Sequence, residues 1–329
     1  MAYALTDQQK HFFVQHGWLH LKQCFTRAQA ESMTSNVWQR LGMNPNDKST
    51  WTQSNIHMPG HRTFDAREFA PKAWSAICEL SGGEERIHEW SRWWHDALIV
   101  NLGSAEKEGG PDSPHDLWGW HVDGDFFVHY LDSPEQGLLV IPLFTDIAPA
   151  AGGTVICPEA MPVLARHLYN HPEGVSPLMD TRDSPDFRNI ETGKGTTWYN
   201  DVAHKAIIFQ SAQCNTSPIL TFSKCVNFVE ACGEAGDVFL LHPLILHTAS
   251  NNPLRHLRII TNPAIGLRQP FNFSRPDGKY SLVERSTLRA LGRENLAGWH
   301  ITKPREAMVP HRIKVQEKMK AQEQARMRS

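Results

Sequence analysis

The sequence has almost no surplus of either charge: 33 lysines and arginines stand against 35 aspartates and glutamates, a formal net charge of -2 over 329 residues. Without a basic surplus there is no electrostatic case for a nucleic-acid partner. Any run of about eighteen apolar residues is also missing, so no segment reads as a bilayer span, and the N-terminus lacks a basic-then-apolar leader. Cysteine is sparse and scattered. Cys24, Cys78, Cys157, Cys214, Cys225 and Cys232 contain no CxxC pair and read as buried thiols rather than a disulfide frame or zinc site. No internal repeat is present, nor any composition shift that would start a second domain. These absences lead to the expectation of a cytoplasmic protein with no nucleic-acid and no membrane partner.

What is present begins with enough apolar residues, 40%, for one sizeable core. Thr6 opens a helix over TDQQKHFFVQHG that Gly17 closes, WLHLKQCF follows as a short strand, and Thr26 caps a second helix running to Gly42. Residues 43 to 63 read as irregular. Helices are expected from Phe69 to Leu80 and from Glu85 to Trp93. DALIVNLG (96–103), QGLLVIPLFTDI and GGTVICP read as strands, the second a buried one. A helix over Met161 to Tyr169 enters a polar excursion at about 170–215, and the part from Pro172 to Asn215 suits a lid over a site. TFSKCVNFVE, GDVFLLHPLIL and HLRIITNPAI close the core. The charged tail, 304–329, reads as a solvated, fraying helix. The fold class expected is α+β: one β-barrel or sandwich domain over 1–303, with helices ahead of it and around it.

Chemistry concentrates in WGWHVDGD, Trp118 to Asp125. In an extended stretch, side chains at i and i+2 leave the same face, so the His121 imidazole and the Asp123 carboxylate point together. An HxD pair alone is also what a surface turn beside a histidine looks like. The distal stretch GDVFLLHPLILHTASNNPLRHLR adds His247 as a third ligand and, eleven residues on, Arg258 as a fixed cation. Two imidazoles and one carboxylate on one face suit Fe(II) and leave three positions open. His242, five residues before His247, falls on the opposite face and reads as structural. Arg255, offset by three from Arg258, faces away likewise. Asn101, at the end of DALIVNLG, either donates its amide to a co-substrate or satisfies backbone. His57, His61, His115, His129 and His204 are candidate pocket residues, each also readable as a satisfied polar residue. Trp118 and Trp120 read as core.

These stretches resemble the phytanoyl-CoA dioxygenase family of iron(II)- and 2-oxoglutarate-dependent oxygenases. His121-x-Asp123 is similar to the family's HxD, and HPLILH to its HPxxxH, with His247 on the ligand position. GGTVICP resembles the family's NGxTxxxP and places Thr154 where members hydrogen-bond the co-substrate. The resemblance extends to the N-terminal LTDQQKHFFVQHGWLHL and is weakest over the excursion and the tail. It implies a double-stranded β-helix (jelly-roll) core, a metal triad of His121, Asp123 and His247, and Arg258 on the far carboxylate of 2-oxoglutarate. Two positions depart from the pattern. Ile260 stands where many members carry a hydroxyl, and Ala249 where some carry serine.

The expected function is oxidation of a small organic substrate (hydroxylation, desaturation or cyclisation) by Fe(II), 2-oxoglutarate and O2. Two alternatives remain at this point: an iron oxidase on the same fold that dispenses with 2-oxoglutarate, and a non-catalytic jelly-roll binding protein. The partners expected are the small-molecule substrate and, at most, a second copy of the chain as a homodimer.

Overall fold

A computed structural model describes residues 3–189, 197–204, 207–210, 220–223, 225–310 and 312–328. Its frame is two antiparallel layers, the first made of two sheets joined by a single bridge. In the first, Trp18–Leu21 pairs with Val238–Leu241, which pairs with Leu138–Pro142. Along the far edge of Leu138–Pro142 runs the stretch that holds Arg258–Ile260 and Ala264–Ile265, tied on through a Leu143–Ile260 bridge and the Ala264–Leu139 register. Ile99–Asn101 and then Asn55–His57 follow beyond it. The second layer is Val229–Glu230, Thr154–Cys157 and Leu246–Ala249, with His121 bridged to His247 at its edge. From Ile99 onward the chain visits first, second, first, second, second, first, second, first. The architecture is α+β, as expected.

The apolar stretches explain why these strands sit where they do. Every residue of Leu138–Pro142, Val238–Leu241 and Arg258–Ile260 is buried, so both faces of that layer are covered and its strands read as continuous apolar runs. The covering helices meet on Leu282–Leu291, which touches Asp7–His16, Pro71–Ser81 and Met161–Asn170. Its start is a Ser281–Glu284 capping box. Glu284, fully buried, also takes Arg86 at 2.8 Å and Arg275 at 3.0 Å. Burial alone would raise that carboxyl, but the two guanidinium groups and two backbone N–H donors pull its pKa down to about 2.

The caps at Thr6, Gly17, Thr26 and Gly42 form as expected. The second helix is broken, however: Arg27–Thr34 stops where Ser35 turns its hydroxyl back onto the Ser32 carbonyl, and Val37–Leu41 restarts. Glu85 to Trp93 forms two short 3-10 turns, Glu84–Arg86 and Glu89–Arg92, rather than a helix. The stretch read as irregular contains the strand Asn55–His57, placed by Ile56 packing into the core. Part of the supposed lid, 190–196, 205–206 and 211–215, lies outside the described residues. Its described beginning is packed: Val175 pairs with His129, and Arg182 bonds the Tyr130 hydroxyl at 2.9 Å. Among the described residues no helix is long and apolar enough to cross a membrane.

The tail forms the mostly exposed helix expected, but it is docked on the core rather than left to fray. Residues 306–308 lie along 126–128, with Met308 N–H donating to Phe126 O and Val128 N–H to Glu306 O, both at 2.8 Å. In the helix Arg312–Arg328, Glu323 is buried and accepts from buried Arg40 at 2.8 Å; His61 Nε2 lies 2.8 Å from the same oxygen. Arg40 also reaches Asp96 and the Pro59 carbonyl. Glu323→Ala leaves that guanidinium short of its partner in a dry site. With Asp96 still facing Arg40, we expect the variant to lose about 1–3 kcal/mol of stability in urea unfolding, the cost of a buried donor left unsatisfied. A solvated tail would change stability by no more than about 0.5 kcal/mol.

Candidate metal centre

His121 sits between two glycines with left-handed backbone, Gly119 (φ 87) and Gly124 (φ 117). A Cβ at Gly124 would come within 2.6 Å of the Phe127 ring, so the turn that aims this loop requires glycine. Backbone pairing does the rest. His121 and His247 exchange N–H···O bonds of 2.9 Å in both directions, which puts their rings side by side, centroids 4.4 Å apart.

The ring nitrogens are assigned by what they touch. His121 Nδ1 lies 2.7 Å from Gly119 O and His247 Nδ1 lies 3.0 Å from Ile245 O. A carbonyl only accepts, so each Nδ1 carries a proton and, in the neutral ring, each Nε2 presents a lone pair. Both lone pairs face the same carboxylate oxygen: Asp123 Oδ1 stands 3.4 Å from His121 Nε2 and 3.5 Å from His247 Nε2. The other oxygen, Oδ2, accepts from Asn262 Nδ2 at 3.0 Å. Three acceptors therefore converge on one point, an arrangement that a cation between them, or a proton on an Nε2, stabilises. Burial opposes charge on His121, yet the hydrogen bond and charge of Asp123 outweigh it and raise the imidazole's pKa. For Asp123 burial is likewise overcome, by the two imidazoles, and its carboxyl lies well below the usual range. His121, Asp123 and His247 are the one His/Cys/Asp/Glu group with metal-ligand spacing among the described residues, ligand atoms all within 4.8 Å. Cis ligands held at about 2.1 Å stand roughly 3 Å apart, so the two measured edges need to close by only about half an ångström.

Arg258 is buried, and no carboxylate pairs with it among the described residues. Its Nε donates to Gly152 O at 2.7 Å and an Nη to Ile99 O at 3.2 Å. Burial pushes the guanidinium down to about 10, with Glu230 opposing; it stays charged at neutral pH. Residues directly opposite in an antiparallel ladder share a face. Asn55, Asn101 and Arg258 form one such row, and His57, Ile99 and Ile260 the next. Ile260, one of the departures from the family pattern, thus faces the same way as Arg258.

The other expected residues divide. Thr154 is buried at the head of its strand, and its hydroxyl has no protein partner among the described residues. Asn101 is already engaged: its amide donates to Ser250 O at 2.9 Å and accepts from Gly103 N at 3.0 Å. It holds the turn after His247 in place, the backbone role of its two readings. His242 is buried, bonded to Thr287 at 2.9 Å and lowered to about 3 by burial, so it is structural. Arg255 points away, to Glu108 and over Trp51. His129 bonds Gly124 O at 2.7 Å and His204 accepts from the Trp120 indole at 3.2 Å. Trp120 is core, but Trp118 is 70% exposed, edge-on to His204, which overturns its reading as core.

No family model matches the chain, and no curated protein does. Solved structures that resemble it include 2-oxoglutarate-dependent enzymes at low identity. HygX from Streptomyces hygroscopicus, with nickel and 2-oxoglutarate bound, is 11% identical at a TM-score of 0.38, over 80% of this chain and 87% of that one. The non-heme alpha ketoglutarate dependent carbocyclase SnoK from nogalamycin biosynthesis is 13% identical at 0.37, over 80% and 84%. EvdO2 from Micromonospora carbonacea var. aurantiaca is 13% identical at 0.36, over 85% and 98%. Likenesses at this distance do not identify a function; the atoms of the site have to carry it.

Two contributors have little or no local signal in the sequence. Asn262 holds the free oxygen of Asp123, and its one legible signal is an even offset of four from Arg258. Arg312, from the tail, pairs with Asp125 of the loop at 2.7 Å, and nothing local in the sequence joins them.

Proposed function

We propose that the chain is a non-haem iron(II) oxygenase that uses 2-oxoglutarate and O2 to oxidise a small organic substrate, on a double-stranded β-helix spanning 1–303. The observation that carries this reading is the convergence of His121 Nε2, His247 Nε2 and Asp123 Oδ1 on one point. Two imidazoles and a carboxylate on one face suit ferrous iron and leave room for a chelating oxyacid and O2. The buried guanidinium of Arg258, with no carboxylate partner among the described residues, supports an anionic co-substrate. Strands that alternate between two antiparallel layers, with His121 pairing His247, support the jelly-roll core.

Bound there, iron(II) would supply the electron-transfer chemistry that couples decarboxylation of 2-oxoglutarate to oxidation of a C–H bond. The chain's own residues do the rest. Gly119 O and Ile245 O keep the protons on Nδ1, so both Nε2 atoms stay available as ligands. Arg258 offers a planar fork to the far carboxylate, and the Thr154 hydroxyl is a further donor to it. Ile99 and Ile260, apolar and on the face of Arg258, keep water from that ion pair.

The reading is tested by incubating the anaerobically iron-loaded protein with 2-oxoglutarate and then admitting O2. Succinate is expected even without the primary substrate, through uncoupled turnover. Iron-loaded protein that consumes no 2-oxoglutarate contradicts it.

A further inference from the structure

We infer that Asn262 is a positioning residue that holds Asp123 to one-oxygen ligation, and so keeps open the position the co-substrate needs. The inference rests on the iron and 2-oxoglutarate reading. Its starting point is an asymmetry in the Asp123 carboxylate. Oδ1 faces both imidazole Nε2 atoms at 3.4 and 3.5 Å, whereas Oδ2 is turned to the Asn262 amide at 3.0 Å. A carboxylate with both oxygens free can swing to bind a metal through two atoms. With three protein ligands on an ion that takes six, that swing would fill one of the three remaining positions. A chelating oxyacid and O2 would need all three, so the extra carboxylate oxygen would compete with them.

Placement makes the restraint firm. Asn262 lies between Arg258–Ile260 and Ala264–Ile265, two pieces of one extended stretch that both pair with residues 138–143. An offset of four puts it on the face of Arg258, and it is exposed while Thr261 before it is buried. One stretch of chain therefore carries both the cation for the co-substrate and the amide that fixes the metal's carboxylate. Their separation is set by backbone, without an intervening flexible loop. An asparagine suits the task because its amide donates without adding charge beside Asp123, where lysine or arginine would draw the carboxylate away from the metal.

The test uses full-length Asn262→Leu, which keeps the bulk and loses the donor, and Asn262→Gln, which restores an amide on a longer arm. Each is titrated anaerobically with Fe(II), and the iron-loaded form then with 2-oxoglutarate, followed by the visible charge-transfer band of the chelate. We expect Asn262→Leu to bind iron within about tenfold of the parent but 2-oxoglutarate about 10–100-fold more weakly, a typical outer-shell effect. Asn262→Gln should recover most of the loss, and thermal unfolding of the iron-free proteins should coincide. Co-substrate binding in Asn262→Leu as tight as in the parent overturns the inference. So does loss of iron and co-substrate together with a lowered melting temperature, which is what a merely structural side chain gives. Parent protein that binds no iron contradicts the function proposed above instead, whatever the variants do.

Discussion

Alanine in place of His121, Asp123 or His247 is expected to remove stoichiometric Fe(II) binding and with it nearly all turnover, whereas His242→Ala keeps its iron. The asymmetry comes from the positions of the acceptors. Each triad residue supplies one of three atoms that meet within 4.8 Å, and no other His, Cys, Asp or Glu among the described residues stands ready to replace it. The Asp123 variant also loses the anion that makes a cation between the imidazoles favourable. His242 Nε2 is instead spent on the buried Thr287 hydroxyl, 2.9 Å away. Its loss is a packing defect, costing roughly 1–3 kcal/mol because the buried Leu244 N–H that donates to its Nδ1 is left unpaired. Metal content of purified, iron-reconstituted variants checks this directly. Iron lost from His242→Ala and kept by His247→Ala would reverse the assignment of the distal ligand.

Arg258→Ala is expected to leave iron bound and to weaken 2-oxoglutarate by about thirty- to several-thousand-fold. Truncating one partner of a buried charge pair costs roughly 2–5 kcal/mol, and each 1.4 kcal/mol is a factor of ten. Ile260 offers no hydroxyl beside it and Asn101 is committed to backbone, so the far carboxylate would depend chiefly on this guanidinium. Arg258→Lys should recover only part of the loss, since an ammonium cannot present the fork. Titration of each iron-loaded variant with 2-oxoglutarate reads the effect. An oxidase that never uses the co-substrate predicts no affinity to lose, with an Arg258 effect confined to its own substrate.

The parts legible in the sequence are those whose cause is local. His121 and Asp123 are two residues apart, near enough for their side chains to meet in a loop where only His121 bridges to a strand, and the helix caps at Thr6 and Thr26 are written in four-residue patterns. The parts that were not legible depend on distant partners. Asn262 acts on a carboxylate 139 residues earlier, and Asn101 is claimed by a carbonyl 149 residues later. The tail looks solvated because its helix is rich in lysine, glutamate and glutamine. What docks it is a set of contacts to distant partners, among them Glu323 meeting an arginine 283 residues away and Arg326 donating to the Arg40 carbonyl, and no periodicity records that. Trp118 looks like its neighbour Trp120, and only the turn at Gly119 sends one into the core and leaves the other outside.

Coupling of iron to 2-oxoglutarate is read most directly by measuring O2 uptake and succinate release together, in protein reconstituted with Fe(II) and supplied with 2-oxoglutarate. Both are expected in equal amounts, with CO2 released alongside, dependent on iron and abolished in the His247→Ala protein. Oxidation of a substrate at full rate without 2-oxoglutarate, or iron bound at the triad with no succinate formed under any supply of O2, would contradict that chemistry.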